Sequence, residues 1–199
     1  MILRYLRSYA VAVFLVLALV SIAGAVEITG PVEIREPGVY HISGDITYAN
    51  GLAAITISAS DVVIEGAGHR IQGPGEGRDA AGIHVSNSAS PPQNVVIRDL
   101  DVEGFRYGVY LVGATDCRVE RMTASKNQVG IGVNQGSNGA SLSSNHCTGN
   151  RYGIALASSN GATVQDCVIS GNAEAGLYIQ SYAQNTISNN RIDNSRNLL

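Results

Sequence analysis

Gly108-Val109-Tyr110-Leu111, Gly130-Ile131-Gly132-Val133, Gly153-Ile154-Ala155-Leu156 and Gly176-Leu177-Tyr178-Ile179 are four copies of one short segment, with glycines 22, 23 and 23 residues apart. An earlier copy, Gly82-Ile83-His84-Val85, precedes the first by 26 residues. The added length falls in Ser86 to Gln93, which holds Pro91-Pro92 and reads as a loop inserted into one turn. A second landmark runs in phase: Asn127, Asn150, Asn172 and Asn194 recur at 23, 22 and 22 residues. Each copy also carries a second apolar pair, namely Val119 with Ala124, Leu142 with Cys147, Val164 with Ile169, and Ile187 with Ile192.

Alternation within Gly-Ile-x-Val has period two, the strand period, and no stretch after residue 26 sustains a helical period. A unit of 22 or 23 residues with two or three short strands cannot bury its own apolar face. Stacked units can, because each strand pairs with its copy in the next turn. Leucine-rich repeats share the period, but their helical half and leucine consensus are missing. The fold expected is all-β: a single-stranded right-handed parallel β-helix over residues 26–199, following an N-terminal signal segment. Like residues then stack at about 4.8 Å. Ile131, Ile154 and Leu177 form one buried column, and Val133, Leu156 and Ile179 its neighbour. Asn127, Asn150, Asn172 and Asn194 form a structural ladder at a turn, where amides bond from turn to turn and Asn accepts left-handed backbone.

The first 25 residues read as an export signal. Arg4 and Arg7 precede an apolar run from Ala10 to Ile22, and Ala23-Gly24-Ala25 supplies the small-x-small pattern of a cleavage site. The mature chain then begins at Val26; the alternative is an uncleaved anchor, which would be the chain's sole contact with a membrane. Without Arg4 and Arg7 the chain keeps 11 basic and 16 acidic residues, a net charge of −5. Lys126 is the single lysine, so there is no broad basic surface, and nucleic acid is excluded as a partner. With no Trp and two Phe, the composition argues against a conventional α/β core. The location expected is secreted, periplasmic or cell surface.

The repeat Asn-x-x-Gly-[Ile/Val/Leu]-x-[Leu/Val/Ile] resembles that of the pectin-lyase-like superfamily. Pro37-Gly38-Val39-Tyr40-His41-Ile42-Ser43-Gly44-Asp45-Ile46, then Ala54-Ile55-Thr56-Ile57, then Asp61 to Gly73 resemble the opening of NosD-like β-helix proteins. The resemblance runs from about Glu33 to Leu199. It implies the fold firmly and the function weakly, because this scaffold hosts lyases, hydrolases, adhesins and accessory proteins alike.

The resemblance also raises copper, for which that family is named. Soft ligands are Cys, Met and His. Past the signal there are Met122, His41, His69, His84 and His146, no two within twelve residues, and no Cys or Met column faces outward together. No metal site and no cofactor are expected. Cys117, Cys147 and Cys167 fall in three different columns and read as free, buried thiols rather than a disulfide.

In pectin-lyase-like enzymes, catalytic groups project from the sheet that begins at the repeat glycine. Alternation turns the third residue of each copy outward here: His84, Tyr110, Gly132, Ala155 and Tyr178. The next outward column is Ser86, Val112, Asn134, Ala157 and Gln180. Neither column contains a carboxylate, and no catalytic residue is assigned. Asp99, Asp101 and Glu103 cluster on another sheet, beside Thr123, Ser125, His146 and Thr148, and read as a solvated face. The outward column is instead aromatic. His84 and Tyr110, with Tyr107 nearby, face Tyr178 across a gap floored by Gly132 and Ala155, a pattern suited to stacking on sugar rings.

The function expected is therefore a non-catalytic exported scaffold, with His84, Tyr107, Tyr110 and Tyr178 as the binding residues and a polysaccharide or glycan as partner. A carbohydrate-active enzyme, or a fragment of one, is the alternative; a copper-accessory protein is the second. The sequence after Asn194 shows no polar capping segment, so self-association through the open C-terminal end is also expected.

Overall fold

The computed structural model describes residues 24–75, 77–180 and 184–194. Most of the proposed signal segment and the last five residues lie outside them. Among the described residues there is no helix; every element is a short strand. The strands form three parallel sheets, one of eight and two of seven. Each strand pairs with a copy one turn away in sequence, which makes the chain a parallel β-helix with three strands per turn.

One face carries the glycine repeats: strands Val32–Ile34, Ala53–Ile57, Ala81–Val85, Tyr107–Val112, Val129–Asn134, Tyr152–Ala157 and Ala175–Ile179, stacked in chain order. The register pairs Ile131 with Ile154 and Ile154 with Leu177, all essentially without solvent contact. Val133, Leu156 and Ile179 stack beside them, with Ile179 only partly covered near the end of the sheet. The second apolar pair of each copy divides between the other two sheets. Ile97, Val119, Leu142, Val164 and Ile187 make one column. Val102, Ala124, Cys147, Ile169 and Ile192 make the other. Three columns converge on a narrow interior filled mostly by aliphatic and small side chains, with Phe105 and Tyr48 as its buried aromatics. Each fully buried aliphatic contributes about 1.5–3 kcal/mol.

The corners hold the polar interior. Asn127 N–H donates to Asn150 Oδ1 at 3.0 Å, and Asn150 N–H to Asn172 Oδ1 at 3.0 Å. Their Nδ2 groups reach back to Val102, Ala124 and Cys147 carbonyls for Asn127, Asn150 and Asn172. Asn172 Nδ2 extends the ladder to Asn194 at 3.2 Å. Phe105 occupies the ladder position one turn earlier, buried, its N–H donating to Asn127 Oδ1. The ladder residues do not themselves take left-handed backbone. That conformation falls one residue earlier, at Gly104, Lys126, Gly149 and Gly171. The preceding residue makes the turn, which leaves the Asn backbone free to aim its amide inward.

The repeat glycines follow from the same corner. A Cβ on Gly130 would stand 2.5 Å from the Gly153 carbonyl oxygen and 3.1 Å from Asn150 Nδ2. One on Gly153 would stand 2.5 Å from the Gly176 oxygen and 2.9 Å from Asn172 Nδ2. The two landmarks are thus one device: the ladder amide lies against the repeat glycine of the preceding turn, and only a residue without Cβ admits it.

At the start of the described chain, Val26–Ile28 pairs with Tyr40–Ile42, and Val32–Ile34 with Ile55–Ile57. At the other end, Ile187 is 38% exposed and Ile192 partly covered.

Candidate functional site

The glycine face breaks strict alternation. In Tyr107–Val112 the residues Gly108 and Val109 are both buried, and the pairing register passes over Gly108. The same break recurs at Gly130 and Gly153. It turns the residue before each glycine to the outside along with the third residue of the copy. Two outward columns result side by side: Tyr107, Val129 and Tyr152 in one, which ends on the buried Ala175, and His84, Tyr110, Gly132, Ala155 and Tyr178 in the other.

Tyr107, Tyr110 and His84 form one wall. The Tyr107 and Tyr110 rings stack with centroids 3.9 Å apart and planes within 11°, and His84 stacks behind Tyr110 at 5.5 Å. The Tyr110 hydroxyl accepts from Asn134 Nδ2 at 3.3 Å. Tyr152 and Tyr178 form the opposite wall, 5.5 Å apart and tilted by 47°. Tyr152 was not among the sequence-derived site residues. Its signal was Arg106-Tyr107-Gly108 returning as Arg151-Tyr152-Gly153, legible only once the bend at glycine is recognised.

Gly132 is not an open floor. It is buried, and a Cβ there would lie 3.0 Å from Tyr107 Cδ1 and 3.2 Å from Tyr110 Cδ2. The tyrosine pair therefore lies over Gly132, and Val129, Ala155 and Ala157 floor what remains. The cleft between the walls has a volume of about 240 Å³, with Asn134 and Gln180 on one rim. On the far side of the Tyr107 wall, a smaller hollow of about 130 Å³ is lined by Leu52, Asp79, Ala80, Ala81, His84 and Arg106.

Charge stands at the opposite rim, in two matched pairs. Arg106 lies over the Tyr107 ring at 5.6 Å and binds Asp79 at 2.7 Å. Arg151 lies over Tyr152 at 5.4 Å and binds Glu174 at 2.7 Å. The Tyr152 hydroxyl donates to Glu174 Oε2 at 2.6 Å, and that carboxylate holds the phenol above its ordinary range. Burial raises the Tyr107 phenol as well. Both phenols are thus kept neutral donors rather than bases. Burial lowers His84, whose Nδ1 is enclosed without a hydrogen-bond partner, so it stands neutral at pH 7.

Asp99, Asp101 and Glu103 are engaged elsewhere. Asp99 is not on a strand but at the left-handed corner before Asp101–Glu103, where Arg121 binds it at 2.8 Å. Burial there holds less sway than the guanidinium, which keeps Asp99 below its usual range. Glu103 binds Lys126 at 2.9 Å, and Arg70 lies 3.9 Å from Asp101. These are cross-turn surface ion pairs, each worth little.

Copper ligands do not assemble. Cys117, Cys147 and Cys167 are free and buried, with burial pushing the Cys117 thiol up to about 11 and raising the other two. Met122 is buried as well. His41 and His146 lie on different sheets from each other and from His84. Among the described residues no three His, Cys, Asp or Glu side chains gather as a metal site, so the donors present do not fit a copper ion.

No curated protein matches the chain. Among solved structures, it is similar to the A-module of mannuronan C-5 epimerase AlgE6 from Azotobacter vinelandii, at 13% identity and a TM-score of 0.40. That alignment covers 82% of this chain and 65% of the epimerase module. The family described as "Periplasmic copper-binding protein (NosD)" matches residues 41–198. With the repeat, the ladder and the three-sheet coil in place over the described residues of that span, the chain belongs to the NosD family of parallel β-helix proteins.

Proposed function

We propose that this is a non-catalytic, exported glycan-binding scaffold whose binding site is the tyrosine cleft. The observation that carries the reading is the pair of aromatic walls, Tyr107 with Tyr110 and Tyr152 with Tyr178, set across a floor of small residues. Sugar rings offer C–H faces that pack on aromatic faces, and hydroxyls that bond to amides such as those of Asn134 and Gln180. The rigid coil holds both walls in place before a ligand arrives, which lowers the ordering cost of binding.

Catalysis has weaker support. Glycoside hydrolysis needs two carboxyl groups flanking the bond, and the cleft lining contains none. Glu174, the acid that reaches its edge, is held by Arg151 and Tyr152. The description of the family as periplasmic supports a location outside the cytoplasm. Its description as copper-binding keeps copper as a second reading, one that the scattered donors oppose.

A glycan array run beside a polysaccharide-degradation assay tests the proposal. Binding without product is expected; release of reducing or unsaturated ends would overturn it. Stoichiometric uptake in a copper(I) titration would favour the second reading.

A further inference from the structure

We infer that the tyrosine cleft selects neutral glycans and discriminates against uronic-acid polymers. The inference rests on the glycan reading and goes beyond it by naming the class of sugar. Its basis is where the charges near the cleft are placed and what already neutralises them.

The surfaces that a sugar would touch are tyrosine rings, the small floor of Ala155 and Ala157, and the amides of Asn134 and Gln180. No lining side chain carries a formal charge at neutral pH. Two cations stand close enough to matter, and both are taken. Arg106 is bound to Asp79 at 2.7 Å, and Arg151 to Glu174 through Nε at 2.8 Å and Nη2 at 2.7 Å. Each guanidinium also lies over the tyrosine at the cleft edge, a further cation–π partner for it.

A carboxylate brought into this cleft would lose water and gain no free cation. Desolvating a charge without a partner is costly. It would also approach Asp79 and Glu174, and the whole mature chain is negative, which slows the approach of any polyanion. Sites that recognise carboxylates present an open guanidinium fork for bidentate bonding. Here Arg151 turns its Nε and Nη2 onto Glu174 Oε1, and Arg106 gives Nη1 to Asp79, so each meets a carboxylate of the protein itself. A neutral pyranose meets none of these penalties, because its C–H faces pack on the rings and its hydroxyls exchange water for amide bonds.

The test is isothermal titration of the purified protein with two neutral hexasaccharides, cellohexaose and mannohexaose, and two acidic ones, hexagalacturonate and hexamannuronate, at low and high salt. At least one neutral hexamer should bind at least tenfold more tightly than either uronate, with little salt dependence. Uronate binding equal to or tighter than neutral binding would overturn the inference while leaving the glycan reading intact. Failure of all four to bind would overturn the glycan reading itself. The variant Glu174→Gln should free Arg151 and strengthen hexagalacturonate binding severalfold. An unchanged uronate affinity in that variant would show that the Arg151–Glu174 pair does not set the preference.

Discussion

Tyr107 and Tyr110, three residues apart on one strand, lie face to face with ring centroids 3.9 Å apart. Regular alternation would send them to opposite sides of the sheet. They meet because the strand bends at Gly108, which is buried against the Gly130 carbonyl and the Asn127 amide. The corner that holds the coil together thus also shapes its aromatic face.

The rings rest on Gly132, and a side chain there has to displace them. Gly132→Val should weaken glycan binding at least tenfold. Its backbone is an ordinary strand, so thermal stability should fall only modestly. Titration beside thermal melting checks this, and unchanged binding would mean that the Tyr107–Tyr110 wall is not part of the site.

Ile154 lies in the middle of its column, between Ile131 and Leu177, with no solvent contact. Ile154→Ala leaves a cavity that neighbouring turns cannot close, at a cost of about 2–5 kcal/mol. Chemical denaturation of the two proteins measures it. A change near zero with cooperative unfolding would contradict the register.

Asn150 accepts from the Asn127 N–H and donates to the Ala124 carbonyl, all in the interior. Asn150→Ala strands both groups, and each buried unsatisfied group costs about 1–3 kcal/mol. A loss of at least about 2 kcal/mol is expected by the same denaturation measurement. Asn150→Asp should also destabilise, since it cannot serve as the amide donor and brings a charge into the interior.

His84 is held neutral by burial, with its pKa below the ordinary value of about 6.5. Above that value the imidazole is neutral in both folded and unfolded chains. As the pH falls below about 6.5, the unfolded chain takes up the proton first, so stability falls, and the loss levels off once the folded imidazole is protonated too. The stack behind Tyr110 should weaken at lower pH, where the folded imidazole itself takes the proton. Melting and sugar titration between pH 7.5 and 5 test this, with His84→Phe expected to flatten that part of both profiles.

The fold was legible because a β-helix writes its period into the sequence. Spaced glycines and asparagines marked each turn, and the columns through Ile154 and Cys147 followed by alignment. The site was only half legible. His84, Tyr110 and Tyr178 came from alternation, but alternation fails at the repeat glycine, and with it went Tyr152 and the true position of Tyr107. Gly132 read as open floor because a pattern of residue types does not show which way a ring leans. Asp79 and Glu174 sit outside the strands of the repeat, so their pairing with Arg106 and Arg151 had no periodic signal.

The most direct test of the central claim is aromatic NMR of the purified protein, titrated with the neutral hexasaccharide that binds best. The absence of tryptophan keeps those spectra simple. Ring resonances of Tyr107, Tyr110, Tyr152 and Tyr178 should shift together and saturate at one ligand per chain, while Tyr40 and Tyr48, away from the cleft, stay in place. If those four rings do not move, or if the shifts fall on Tyr40 and Tyr48 instead, the tyrosine cleft is not a glycan site.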